Sequence, residues 1–118
     1  MNGTQAVGRH GEDVAERWMR ERGWEVLARN WRCGQGEADM VATDAGALVV
    51  VEVKTRRSVA YGEPFEAVTR SKLARLRRIA GAWLADDPRR YSTVRIDVLA
   101  VRLPRAGAAT VEHLRGVE

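Results

Sequence analysis

A chain of 118 residues, 45% hydrophobic and 31% charged, can bury a core of its own and is the size of one domain. Twenty Lys and Arg against sixteen Asp and Glu leave a net charge of +4 at pH 7; this favours an anionic partner and argues against acidic, disordered classes. The single Cys33 excludes an internal disulfide or a cysteine-only metal cluster, and the lack of a membrane-length apolar run or of a leader-like N-terminus makes cytoplasmic residence the expectation.

Residues 4–22 read as the first helix. Val7, Gly11, Val14, Ala15, Trp18 and Arg22 recur on one side at helical spacing, and Gly23 is a natural stop. Residues 24–31 alternate as a strand does, and Cys33 to Gly36 supply a turn. Two more strands are expected over 37–43 and 47–54, joined by a short glycine-containing hairpin connection at Asp44-Ala45-Gly46. The run from Ala47 to Val51 is wholly apolar, which suits a central strand covered on both faces. Residues 55–68 read as a loop. A second helix follows from an N-cap at Thr69 to Ala85, with Leu73, Leu76, Ala80, Trp83 and Leu84 inward. A strand over 93–103, a loop over 104–109 and a short edge strand over 110–114 complete the chain. The order α-β-β-β-α-β predicts an α/β sandwich around a mixed sheet, in one domain over residues 1–118.

Glu52 and Lys54 end the buried strand, which is an odd place for charge, and local oddities of this kind concentrate at functional sites. Alternation puts the two side chains on one face. With a four-residue connection, Asp44–Ala47, Thr43 pairs with Leu48 and Asp39 lies opposite Glu52, with Cβ atoms roughly 5 Å apart. A three-residue loop would instead set Asp39 against Val51, on the other face. In the first register, two carboxylates and a lysine meet. Hard oxygen donors of this type hold Mg²⁺ or Mn²⁺, and an ammonium group beside them orients water or neutralises phosphate charge. The alternative is a cross-strand ion-pair cluster on a solvated face.

Glu12, flanked by Gly8, Gly11 and Ala15, joins this site if the small residues let the first helix approach the sheet; otherwise it is an exposed helix carboxylate. The second helix carries Arg70, Lys72, Arg75, Arg77 and Arg78 with no acid between Thr69 and Ala80. Such mutual repulsion is relieved by a phosphate backbone, and Arg29, Arg32, Arg56 and Arg57 extend the basic surface. His10 and His113 read as surface or capping residues, and the four tryptophans as core. Asp97 reads as a structural partner of a neighbouring arginine.

The segments Gly11-Glu12-Asp13-Val-Ala15, Arg29-Asn30-Trp-Arg32, Gly36-Glu37-Ala-Asp39, Val51-Glu52-Val-Lys54-Thr-Arg56, Lys72 with Leu76, and Arg95-Ile-Asp97-Val span nearly the whole chain. Together they resemble the YraN family of bacterial proteins, in the restriction-endonuclease-like PD-(D/E)XK superfamily and close to archaeal Holliday-junction resolvases. The resemblance implies a restriction-endonuclease-like three-layer sandwich, with Asp39, Glu52 and Lys54 as the nuclease triad and Glu12 as an accessory acid. It also implies that Lys72 stands where related nucleases place a further polar site residue. The proline that gives the superfamily motif its first letter is replaced here by Ala38.

The expectation is a Mg²⁺- or Mn²⁺-dependent endonuclease acting on DNA, including branched or structured DNA. Asp39, Glu52 and the Val53 carbonyl would bind the metal, Lys54 and Glu12 would assist, and Arg56 with the second helix would bind the backbone. Cutting both strands of a symmetric junction would require two sites, and so a homodimer. The competing expectations are a non-catalytic nucleic-acid-binding module and an adaptor for an acidic protein partner.

Overall fold

The computed structural model describes residues 3–57 and 68–118. Helix α1 spans Gly3–Glu21, followed by strands β1 (Glu25–Cys33), β2 (Gly36–Asp44) and β3 (Ala47–Arg57). Helix α2 (Arg70–Asp86) leads into β4 (Thr93–Leu103) and the short β5 (Thr110–Leu114). The strands form one sheet in the order β1-β2-β3-β4-β5. All neighbours are antiparallel except β3 and β4. A parallel pair cannot be joined by a tight turn, and the crossover between these two contains α2.

The central position of β3 explains its composition. Ala47 to Glu52 are buried without a break, and alternation sends their side chains to two different cores. Val49 and Val51 meet Ala15 and Met19 of α1, together with Met40, Leu99 and Val101. Leu48 and Val50 meet Leu73, Leu76 and Ile79 of α2, together with Val41 and Ile96. The sheet is thus the middle of three layers, and each buried aliphatic side chain contributes on the order of 2 kcal/mol.

The caps follow the expected residues. Thr69 stands in extended conformation ahead of α2 and its side chain accepts from the Lys72 amide at 3.2 Å. Gly23, at φ +82, ends α1, with its amide bonded to Arg20 O and the Trp24 amide to Met19 O. That 5→2 and 6→1 pair needs a left-handed residue, which glycine supplies without steric cost.

Three expectations change. Arg22 leaves the α1 stripe and stacks its guanidinium 3.9 Å from the Trp18 ring, while Met19 takes the buried place. On α2 the stripe centres on Leu76, so Ile79 is fully buried and Leu84, rotated to its margin at about 100° per residue, is 38% exposed. The loop expected over 55–68 begins later, because Thr55, Arg56 and Arg57 continue β3 beside Val101, Arg102 and Leu103; residues 58–67 lie outside the described residues.

Candidate functional site

The β2–β3 register decides whether the site exists. Thr43 pairs with Leu48, and the ladder continues to Met40↔Val51. The turn itself is two residues, Ala45 and Gly46, with φ of 48° and 89°; two left-handed residues make the tight hairpin turn whose twist matches its strands. Asp44↔Ala47 closes it, which leaves the same register as the four-residue connection. One step beyond Met40↔Val51, Asp39 and Glu52 face each other where the ladder ends. Asp39 Oδ2 accepts from the Val53 amide at 2.8 Å, so its side chain reaches across to β3 in place of the missing backbone pairing.

Two carboxylates thus share a partly buried strand end. Burial and the nearby Glu52 charge push the Asp39 pKa from its ordinary 3.8 up to about 7, against the lowering effect of the Val53 amide; Glu12 adds to the rise and Lys72 offsets part of it. Glu52 is buried and its Oε1 lies 2.5 Å from Lys72 Nζ of α2. Lys72 therefore turns toward the carboxylates and away from the outward basic face. The lysine that neutralises Glu52 is Lys72, and Lys54, on the same face of β3 by alternation, makes no ion pair among the described residues.

Glu12 arrives from the opposite layer because α1 lies unusually close to β3. A Cβ built on Gly11 would stand 1.9 Å from Thr55 Oγ1, so only glycine fits that crossing. Glu12 is then held by Asn30 Nδ2 at 3.3 Å and Arg29 Nη2 at 3.4 Å. Asn30 itself sits at φ 53, a left-handed conformation that asparagine tolerates better than most residues. Arg29 also reaches Asp13 at 2.6 Å and Glu16 at 3.5 Å, so it fastens α1 to β1 and does not extend the basic surface. Arg32 likewise pairs with Glu37. The Arg29 arrangement could not be read from spacing, since it depends on where α1 docks, whereas Arg32 and Glu37 are direct partners across the β1–β2 hairpin.

Among the described residues, no three Asp, Glu, His or Cys side chains converge tightly enough to hold a metal by themselves. The donors that do meet still suit Mg²⁺ or Mn²⁺. Such ions take one or two carboxylates and keep several waters, and a cation would relieve the repulsion that raises the Asp39 pKa. Strand geometry turns the Val53 carbonyl to the same edge as its amide, toward β2, so it can serve as a third oxygen.

Arg70, Arg75, Arg77 and Arg78 are exposed along α2, and Arg56 is exposed at the end of β3. Asp97 is fully buried, accepting from Arg95 Nε at 3.1 Å and the Gly116 amide at 2.9 Å, with His113 Nε2 at 2.7 Å. His113 is therefore not the surface residue expected: it lies edge-on to Trp18 and Trp24, at ring-centroid distances of 5.0 and 5.5 Å.

The model of the uncharacterised protein family UPF0102 matches residues 11–101. A UPF0102 protein of Beutenbergia cavernae is 60% identical over 117 residues, 99% of each chain. One from Kineococcus radiotolerans is 58% identical over 113 residues, covering 95% of this chain and 93% of its own. One from Arthrobacter sp. (strain FB24) is 50% identical over 117 residues, again 99% of each. Full-length similarity at this level, over the segments that build the strand-end carboxylate pair, means that the chain belongs to the UPF0102 family, the YraN family of its sequence motifs.

Proposed function

We propose that this protein is a Mg²⁺- or Mn²⁺-dependent endonuclease that hydrolyses DNA phosphodiester bonds. The reading rests on one observation: Asp39 and Glu52 are held together at a strand end where burial and mutual repulsion raise the Asp39 pKa to about 7. Structural ion pairs are normally neutralised, so a carboxylate pair kept under repulsion points to a cation-dependent use.

A divalent ion held by Asp39, Glu52 and the Val53 carbonyl would supply Lewis acidity toward a phosphoryl oxygen and make a nearby water more acidic. The Val53 amide fixes the Asp39 carboxylate in direction. Lys72 holds Glu52 at 2.5 Å and keeps the pair from full repulsion while no cation is bound. Lys54, on the Glu52 face and without a carboxylate partner among the described residues, orients a water or stabilises charge on the phosphate. Glu12, anchored by Asn30 and Arg29, presents a further carboxylate that accepts a proton or fixes a water. Arg70, Arg75, Arg77 and Arg78 bind the backbone through charge, with the salt sensitivity that counterion release imposes.

The test is cleavage of a branched DNA oligonucleotide with Mn²⁺ or Mg²⁺. Asp39→Ala and Lys54→Ala are expected to abolish cleavage and leave the thermal melting cooperative; cleavage at the parent rate in either variant would sink the assignment. A second reading, a nucleic-acid-binding module without turnover, is favoured by the Lys72–Glu52 contact, which neutralises Glu52 without a metal. Calorimetric titration separates the two: the enzyme takes up Mn²⁺ in an Asp39-dependent manner and the module does not.

A further inference from the structure

The face of the sheet that carries α1 has a recess of about 660 Å³ beyond the carboxylates, lined by both apolar and cationic side chains. Ala6 and Val7 of α1 and Leu103 at the end of β4 form its apolar wall, and His10, Arg57 and Arg105 its polar side. No acid lines it. Arg20, Arg29, Arg32, Arg89 and Arg95 each pair with a carboxylate. Among the described residues, Arg57 and Arg105 have no such partner.

The recess lies toward the same end of β3 as the carboxylates. Past Val51, β3 has no paired residue on β2 and runs on beside β4 alone, ending at Arg57↔Leu103. Arg57 is four residues beyond Val53, roughly 13 Å along the strand, and His10 is two residues before Glu12 on α1. The volume suits an organic ligand and exceeds what a lone phosphate fills. A bare phosphate would also leave the apolar wall uncovered.

We propose that this recess receives one unpaired nucleotide of the DNA strand, with the base against the apolar wall and its phosphate against Arg57 and Arg105. The proposal rests on the DNA-directed reading and sharpens it, because a base enters a pocket only after leaving the stack. The substrate is then unpaired beside the cleavage position, as at a flap, a fray or a branch. Sequence-tolerant binding follows, since apolar contact and cationic grooves accept any base.

The experiment is fluorescence anisotropy of the full chain without divalent metal, using a labelled twelve-nucleotide oligo-dT strand and a blunt duplex as probes. Arg57→Ala/Arg105→Ala is expected to weaken the single strand at least tenfold and the duplex less than twofold. Ala109→Trp, which fills the recess from its rim, is expected to do the same without a charge change. Equal losses on both probes, or no loss on the single strand in either variant, would overturn the proposal. Because no metal or cleavage enters the measurement, loss of the nuclease reading alone would leave this result standing.

Discussion

Two clusters in the sheet treat buried acids in opposite ways. Midway along β4, opposite Val51, Asp97 is fully buried yet satisfied by Arg95, His113 and the Gly116 amide, and Arg95 also holds Asp44 at 2.7 Å. At the end where β3 outruns β2, Asp39 has one backbone donor and a carboxylate neighbour, and its pKa rises to about 7. The first cluster is compensated, as a structural network must be to justify its desolvation. The second is left under-compensated, the pattern of a site that awaits a charged partner. Burial alone does not distinguish stability from function; what surrounds the charge does.

Breaking the compensated cluster has the largest expected effect. Asp97→Ala leaves Arg95 and His113 facing a cavity and should cost about 3–5 kcal/mol, read by urea denaturation; a loss below 1 kcal/mol would erase the contrast. Gly11→Ala comes next. Its methyl group meets the stiff, β-branched Thr55, so α1 must lift, at a cost of about 1–3 kcal/mol. The same lift would move Glu12 and lower the metal-dependent rate beyond what stability loss explains.

Asp39→Asn should act in the opposite direction. Folding raises the Asp39 pKa from 3.8 to about 7, so between those values the folded state holds a proton that the unfolded chain has released. That contribution favours folding fully below about pH 4 and is lost as the pH rises through 7. The asparagine variant still accepts from the Val53 amide and carries no charge. It should be more stable than the parent at pH 8 by about 1–2 kcal/mol, a gain that disappears near pH 4. Melting curves at the two pH values check this, and a parent stability flat from pH 4 to 8 would contradict it. The smallest effect is expected for Mg²⁺ added at pH 8, which should raise the parent's melting temperature by a few degrees and leave that of Asp39→Asn unchanged.

Much of the site was legible because a strand's period is two and a hairpin's register follows from its turn. Ala45-Gly46 sets Thr43 against Leu48, and from there Asp39 must meet Glu52. Glycine at position 11, beside Glu12, marked a close helix–sheet approach in the same way. Lys72, Arg29 and His113 were less legible, since each acts on a residue of another layer. Spacing says which way a side chain leaves its own element, not what stands opposite.

Local chemistry thus determined the elements, the caps, the buried central strand and the pairing of the two carboxylates, all of which depend on neighbours along one hairpin or one helix. The docking of α1 and α2 decided which lysine neutralises Glu52, whether Arg29 faces solvent or fastens a helix, and where a recess opens beside Arg57. Those outcomes depend on distances between layers, which side-chain volumes set only once both faces of the sheet are packed.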